Sequence, residues 1–130
     1  MEHAGLTSRI IAAAIDVHKA LGPGFLEEIY EAALLIELRR RQIPVESQVR
    51  VRVVYNGVEV GVHVLDLLVE KTIVVELKAV KNIEDIHYAT VRSYLRALGL
   101  EHGLLLNFNK PVLDIKRVIA PPTEREEDSL

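Results

Sequence analysis

The sequence predicts an α/β protein in which helices pack on a mixed β-sheet. Three observations lead to this fold class. Two segments with helical spacing of apolar residues come first, a run of alternating apolar residues with a tight-turn signal follows, and a further helix then separates two short strands. With 130 residues, of which 49% are apolar and 27% charged, the chain has the size and composition of one globular domain.

The first two elements are predicted helices. Apolar residues recur with a helical period over residues 7–21, after a Thr7-Ser8 capping signal and before Gly22-Pro23-Gly24. A second helix is predicted from about residue 25 to residue 41, because a wide apolar stripe runs through it and Pro44 prevents its continuation. The chain therefore begins with two consecutive helices.

A three-stranded antiparallel meander is predicted next. Apolar side chains alternate over residues 48–55, and the following Asn56-Gly57 is the strongest short signal for a hairpin turn. Residues 58–69 form the return strand and residues 73–78 a third strand, joined around Glu70-Lys71.

The rest of the chain adds one helix and two strands. Residues 84–98 form a predicted helix with Gly99 as its C-cap, and residues 102–108 are an unbroken apolar run, typical of a strand covered on both faces. A further strand is predicted over residues 112–119. We therefore expect a single domain over residues 1–120 and a charged, disordered tail over residues 121–130.

Composition excludes several kinds of chemistry. The chain has no cysteine, which rules out disulfides, thiolate zinc sites, iron–sulfur clusters and cysteine nucleophiles. No apolar run approaches the ~20 residues of a membrane-spanning helix, and the first residues lack the pattern of a signal peptide, so we expect a cytoplasmic protein without a membrane partner. The tail over residues 124–128 has four acids and one base, which accounts for the net charge of −3 and leaves a neutral body.

Charged residues stand out inside two strands that should belong to the core. Asp66 lies within one apolar strand, and Glu76 and Lys78 lie within the next. Residues i and i+2 of a strand share a face, so Glu76 and Lys78 point the same way. Two carboxylates beside an ammonium suit Mg²⁺ or Mn²⁺ and a phosphate substrate. A buried salt-bridge network, or strand ends that reach solvent, would equally explain these residues.

The register between the strands at residues 58–69 and 73–78 decides between a metal site and a purely structural role for these charges. A two-residue turn at Glu70-Lys71 would pair Val69 with Thr72, and it would leave Asp66 and Glu76 on opposite faces of the sheet. A three-residue loop, or a bulge, would pair Val69 with Ile73 and bring Asp66 beside Glu76. The metal-site hypothesis therefore requires an odd-length loop or a bulge.

One segment carries a specific resemblance. Residues 21–30, with Gly24, Glu27 and Tyr30 at the named positions, resemble the signature of the GxxExxY proteins. Residues 66–69, 75–80, 87–95 and 103–108 resemble the later blocks of that family, in its order. The family is similar to the PD-(D/E)xK nuclease superfamily. The resemblance therefore implies a restriction-endonuclease-like core of order αβββαβ, with an extra helix at the N-terminus.

The resemblance also implies residue roles. It makes Asp66 the aspartate of the motif, Glu76 and Lys78 its ExK pair, and Glu27 the acid of the core helix that adds a metal contact. The expected enzyme is a Mg²⁺- or Mn²⁺-dependent phosphodiesterase that acts on DNA or RNA, with Lys78 positioning the attacking water. The expected substrate contacts are Tyr30, His87, Arg92, Tyr94 and Arg96.

Two departures from the family pattern keep a second hypothesis open. Val64 stands where the family often has an arginine, and Thr90 stands where it often has a glutamine that assists catalysis. The alternative is a non-catalytic binding or assembly module with this fold, as a possible homodimer. Taken alone, Glu27 would be a helix N-terminal acid favoured by the dipole, and Tyr30 a packed aromatic.

Overall fold

Helices and strands follow one another along the chain in the order that the sequence predicts. The structure is a computed structural model, and it describes residues 3–121. Its elements are α1 (Ala4–Leu21), α2 (Glu27–Arg40), β1 (Val45–Tyr55), β2 (Val58–Val69), β3 (Ile73–Lys78), α3 (Asp85–Leu98), β4 (His102–Asn107) and β5 (Asp114–Ile119). The strands form one sheet in this same spatial order. All neighbours are antiparallel except β3 and β4, which are parallel, so the expected mixed sheet is confirmed.

Each face of the sheet is covered by its own apolar layer. Helices α1 and α2 pack on one face, where Leu34 belongs to the same buried cluster as Val75 of β3. Helix α3 packs on the other face, where Leu95 shares a buried cluster with Val74 and Leu105. Successive residues of a strand point to opposite faces, so β3 and β4 are buried on both sides. This explains why both strands are almost continuously apolar in sequence.

The starts of both N-terminal helices differ from the prediction. Helix α1 begins at Ala4, because the carbonyl of His3 accepts the Thr7 N–H at 2.9 Å and the first turn forms before the predicted cap. Thr7 lies within α1 and is buried, so it does not cap the helix. Helix α2 begins at Glu27, because Gly22 and Gly24 have φ values of 72° and 113° that keep the preceding loop out of helical conformation.

The Asn56-Gly57 hairpin is confirmed, and it closes a long two-stranded ribbon. Both turn residues have positive φ, 51° and 77°, as a two-residue hairpin loop requires. Strand β1 pairs with β2 from Val45↔Val69 to Tyr55↔Val58, whereas the pairs between β2 and β3 run only from Leu67 to Val69. The tip of the ribbon therefore extends beyond the sheet, with Tyr55 69% exposed.

Two further expectations concern the C-terminal tail and membrane-spanning helices. The tail predicted over residues 121–130 lies outside the described residues, apart from Pro121. Within residues 3–121, no helix is both long and apolar enough to span a membrane.

Helix α3 approaches the sheet closely at Gly103 of β4. A Cβ added there would lie 2.9 Å from Cγ1 of Val91 and 3.2 Å from the carbonyl oxygen of Val74. Backbone atoms of a central strand cannot move far, so the absence of a side chain sets the distance between α3 and β4.

Gly103→Ala should therefore destabilise the protein by about 1–3 kcal/mol, because the added methyl group overpacks the contact between α3 and the sheet. Urea denaturation measures the free energy of unfolding. Gly61→Ala is the matched control, since a Cβ on that strand glycine meets nothing within 4 Å and its φ is not positive. Equal stability of the two variants would contradict the described packing of α3.

Candidate active site

The connection between β2 and β3 has the odd length that the site hypothesis requires. Glu70 and Lys71 adopt left-handed conformations, with φ values of 50° and 55°, and Val69 pairs with Ile73 across a three-residue loop. The β2–β3 ladder ends at Leu67↔Val75, and beyond it hydrogen bonds link Asp66 to Glu76 and Leu77. The predicted pairing of Val69 with Ile73 is therefore confirmed.

Asp66 and Glu76 hold each other through the backbone. The Asp66 N–H donates a hydrogen bond to Oε2 of Glu76 at 2.7 Å, and the Leu77 N–H donates to Oδ2 of Asp66 at 2.9 Å. Carboxylate oxygens thus accept the bonds from two strand N–H groups at the point where β2 and β3 separate. These two hydrogen bonds hold both side chains in position.

The direction of β2 side chains changes at Asp66. Leu67 packs in the layer under α1 and α2, whereas Leu65 packs in the layer under α3, although two residues of a regular strand would share a face. The facing residue of β1, Gln48, has a φ of 54°, and it lies between the paired residues Ser47↔Leu67 and Val49↔Leu65 of the β1–β2 ladder. Asp66 consequently lies at the boundary between the two apolar layers, half-buried.

Helix α2 brings two further carboxylates to this boundary. Oε2 of Glu27 accepts a hydrogen bond from the Ala79 N–H at 3.2 Å, directly after β3. Glu31 lies one helical turn further on, and its Oε2 accepts a bond from Nε2 of Gln48 at 2.6 Å. We call Glu27, Glu31, Asp66 and Glu76 the acidic cluster.

Sequence reasoning missed Glu31, although a signal was present. Residues four apart share a face of a helix, so Glu31 had to accompany Glu27 toward the same region. A hydrogen bond from Gln48 also holds Glu31 in place, and only the structure reveals the unusual backbone conformation of Gln48.

Burial and mutual repulsion raise the pKa values of the two central acids. Loss of water around Glu76 raises its pKa to about 8, the negative charge of Asp66 adds to this effect, and Lys78 opposes it. Burial likewise raises the pKa of Asp66 to about 6, with Glu31 and Glu27 adding repulsion. The Leu77 N–H bond opposes the shift of Asp66. The acidic cluster thus carries more negative charge than its surroundings stabilise.

Lys78 is the cation that β3 itself supplies. It follows Glu76 by two residues on the same strand face, is half-buried, and lowers the pKa of Glu76 through its charge. Within the acidic cluster, the charge of Lys78 therefore acts on Glu76.

The acidic cluster matches a divalent cation in donor type and charge. Carboxylate oxygens are the hard ligands that Mg²⁺ and Mn²⁺ take, and a cation would relieve the repulsion that raises the pKa values of Asp66 and Glu76. Among residues 3–121, however, no three His, Asp or Glu side chains are arranged so that they could hold a metal ion. The carboxylates thus do not form a closed coordination shell in this structure.

Tyr30 does not lie where a substrate contact would need it. Its side chain is fully buried, stacks on Phe108 at 4.5 Å between ring centroids, and donates a hydrogen bond from its hydroxyl to the Gly22 carbonyl at 2.6 Å. The same hydroxyl accepts a bond from the Phe25 N–H at 3.1 Å. The expected substrate contact is therefore wrong, and Tyr30 instead fixes the loop between α1 and α2.

A groove separates α3 from the β1–β2 ribbon. It encloses about 620 Å³ and is lined by Val51, Arg52, Val53, Val54, His63, Thr90, Ser93, Tyr94, Arg96 and Ala97. The Tyr94 hydroxyl lies 3.4 Å from Nδ1 of His63. Burial raises the pKa of Tyr94, and the charges of Glu76 and Asp66 add to this, so the α3 groove lies within electrostatic reach of the acidic cluster.

The remaining predicted contacts divide between the groove and the start of α3. Arg96 is exposed and lines the α3 groove together with Tyr94, whereas Arg92 is half-buried on α3 and does not line it. Nδ1 of His87 accepts the Glu84 N–H at 2.9 Å in a capping box, so this imidazole stabilises the helix start. Thr90 also lines the groove, but its hydroxyl donates to the Ile86 carbonyl at 2.9 Å.

Asn107 holds the segment that follows β3 in place, a role that the sequence did not reveal. It is fully buried at the end of β4, where its Oδ1 accepts the N–H groups of Val80 and Asn109 and its Nδ2 donates to the Val80 carbonyl. These bonds anchor the segment that follows Lys78. A polar residue closing an apolar strand was the available signal.

Comparison with known proteins agrees with the fold and with the expected superfamily. A sequence model of the PD-(D/E)XK nuclease superfamily matches residues 4–118, and the chain therefore belongs to that superfamily. The crystal structure of SSO0001 is similar with a TM-score of 0.56 and 19% identity, over 76% of this chain. The match spans 52% of that protein, about half its length, and at this identity it shows the fold alone. No curated protein matches the sequence.

The raised pKa values predict an unusual dependence of stability on pH. Asp66 and Glu76 have ordinary pKa values of 3.8 and 4.5 and folded values of about 6 and about 8, so the folded state binds protons more tightly than the unfolded state. Without divalent cations, stability should therefore fall as the pH rises from 5.5 to about 8.

The Glu76→Gln variant isolates this effect, because glutamine keeps the shape of Glu76 without its charge. Each pKa unit corresponds to about 1.4 kcal/mol, so wild type should lose on the order of 2 kcal/mol more than Glu76→Gln over this pH range. Urea denaturation at several pH values provides the measurement, and Glu70→Gln on the exposed loop is the matched control. Parallel pH profiles of wild type and Glu76→Gln would contradict the assigned burial.

Proposed function

We propose that this protein is a Mg²⁺- or Mn²⁺-dependent nuclease that hydrolyses phosphodiester bonds of DNA or RNA. The observation that supports the proposal most is the pair of hydrogen bonds that holds Asp66 and Glu76 together, with Lys78 on the same strand as Glu76. Membership of the PD-(D/E)XK nuclease superfamily gives this arrangement its functional context. The GxxExxY assignment and a cytoplasmic location are finer predictions that accompany the proposal.

Glu27, Asp66 and Glu76 are the proposed metal ligands, and their side chains would have to turn toward one point to share a cation, because no three acids of residues 3–121 are arranged to hold one in this structure. In each of the three, one carboxylate oxygen accepts a hydrogen bond from a backbone N–H. This bond orients the carboxyl group and does not involve its second oxygen. Glu31 adds negative charge beside them and is itself held by Gln48. A bound Mg²⁺ or Mn²⁺ would polarise the phosphate and lower the pKa of the attacking water.

Lys78 is proposed to act on the water or the phosphate. Its ammonium cannot bind a cation, and its half-buried position beside Glu76 lets its charge act with little screening by solvent. There it would orient the attacking water and offset the negative charge that develops on the phosphate.

The α3 groove is the proposed path of the substrate backbone. Arg96 and Arg52 line it beside apolar side chains, and Tyr94 connects it electrostatically to the acidic cluster. Arginines contact phosphates without reading sequence, which is what a path leading to a hydrolytic centre needs. Arg92 on the same helix is a further proposed phosphate contact.

A non-catalytic module that assembles as a homodimer is the second candidate. The β1–β2 ribbon favours it, because Val54, Tyr55, Val58 and Val60 are all more than half exposed near its tip. Apolar residues concentrated on a projecting ribbon are typical of a surface that contacts another chain. Thr90 also favours it, because its hydroxyl bonds to its own helix.

Cleavage assays distinguish the two candidates. With Mn²⁺, wild type should cleave at least one of single-stranded DNA, duplex DNA, single-stranded RNA and duplex RNA, and EDTA should abolish the reaction. Asp66→Asn and Glu76→Gln should each lower the rate by about a hundredfold or more, because they remove charge at the proposed metal site. Glu70→Gln, an exposed acid on the nearby loop, should retain activity. Undiminished cleavage by Asp66→Asn, or none by wild type, would refute the nuclease proposal.

Lys78→Met should separate catalysis from metal binding. Methionine keeps most of the length of the side chain without its charge, so turnover should fall by about a hundredfold or more while the Mn²⁺ affinity stays the same or rises. Single-turnover cleavage and calorimetric titration measure the two quantities. Lys81→Met on the following exposed segment serves as the control. Loss of Mn²⁺ affinity in Lys78→Met would show that the assigned role is wrong.

A further inference from the structure

Two large apolar residues are exposed directly before the first acid of the acidic cluster. Phe25 is 45% exposed and Leu26 67% exposed, although both continue into a helix whose other face packs in the core. We call these two residues the Phe25 ledge. The preceding loop determines their exposure, because positive φ values at Gly22 and Gly24 turn the chain outward before α2 begins.

The aromatic ring of the ledge is held in place. The Phe25 N–H donates to the Tyr30 hydroxyl at 3.1 Å, and the two rings meet edge to face with centroids 6.1 Å apart. Tyr30 is itself fully buried and bonded to the Gly22 carbonyl. The exposed ring is therefore fixed by the core, so binding a ligand on it requires little additional ordering.

The ledge and the acidic cluster share one depression. It encloses about 440 Å³ and is lined by Phe25, Leu26, Glu27, Glu28, Glu31 and Ala79. Two of these residues belong to the acidic cluster, and Ala79 is the residue whose N–H bonds to Glu27. A molecule that lies on the ring would therefore be adjacent to the proposed metal ligands.

We propose that Phe25 stacks on an unpaired nucleobase next to the bond that is cleaved, so that the substrate class is single-stranded nucleic acid. This inference rests on the proposed nuclease function and specifies its substrate. Bases stack on exposed aromatic rings through their faces, and any base can do so. A base within a duplex is already covered by its neighbours and paired, so it does not offer a free face to Phe25.

The charges around the ledge favour this occupant over others. Glu27, Glu28 and Glu31 border it, so an anionic membrane surface or an acidic peptide would be repelled. A nucleobase is uncharged and tolerates these neighbours. The phosphate that follows the base carries its negative charge to the site where a cation would compensate it.

Equilibrium binding of a fluorescently labelled strand tests the inference. Fluorescence anisotropy is recorded for the single strand and for its duplex, in Ca²⁺ and in EDTA, and 2-aminopurine in the strand reports stacking directly. In Ca²⁺, wild type should bind the single strand more tightly than the duplex. Phe25→Ala should weaken single-strand binding about tenfold and leave duplex binding unchanged, because one stacking contact is lost.

Matched variants exclude general effects on the fold. Phe25→Trp should restore single-strand affinity to within about twofold, because it retains an aromatic face. Tyr55→Ala removes another exposed aromatic, 69% accessible at the ribbon tip, and should have no effect. Ile36→Ala removes an exposed apolar side chain of α2, 60% accessible, outside every surface proposed above, and should also have no effect. Equal weakening by Phe25→Ala and Ile36→Ala, failure of Phe25→Trp to rescue, or equal binding of single strand and duplex would each overturn the inference.

Cleavage in Mn²⁺, measured on the same strands, separates this inference from the nuclease proposal. Cleavage by wild type that is equally fast on duplex and indifferent to Phe25→Ala would retain the nuclease and reject the stacking role. Phe25-dependent binding of the single strand without cleavage would retain the stacking role and reject the nuclease. Absence of both binding and cleavage would reject both.

Discussion

The reciprocal hydrogen bonding of Asp66 and Glu76 across β2 and β3 is the interaction on which the candidate site depends. Each carboxylate accepts a backbone N–H of the opposite strand, so the two acids cannot separate without disrupting the end of the strand pair. A slip of one residue would send the acids to opposite faces of the sheet. The three-residue loop with two left-handed residues therefore determines which acids meet as well as how the strands connect.

The acidic cluster is electrostatically unfavourable as it stands. Burial next to two apolar layers raises the pKa values of Asp66 and Glu76, and α2 adds Glu27 and Glu31 to the same region. Protonation relieves this repulsion, and a divalent cation would relieve it by displacing those protons. The same packing that stabilises the fold thus gathers carboxylates whose repulsion a bound cation would relieve. This is the physical basis of the proposed function.

Local patterns in the sequence predicted most of the fold and the proximity of Asp66 and Glu76 at the candidate site. Asn56-Gly57 fixed the hairpin because its turn needs residues that tolerate positive φ, and the charges inside apolar strands identified Asp66 and Glu76 because such burial requires compensation. The positions that the sequence did not predict depend on tertiary contacts. Tyr30 fits the family motif but is buried by Phe108, and the position of Glu31 depends on a backbone irregularity at Gln48 that no local pattern encodes.

Proton release on Mn²⁺ binding tests the central claim most directly. The pKa of Glu76 is about 8, so its carboxyl group is largely protonated at neutral pH and must lose its proton to bind a cation. Calorimetric titrations near neutral pH, in two buffers of different ionisation enthalpy, should give binding heats that differ by the release of about one proton, and Glu76→Gln should abolish this difference. Identical heats in the two buffers, or wild-type Mn²⁺ affinity in Asp66→Asn, would contradict the account.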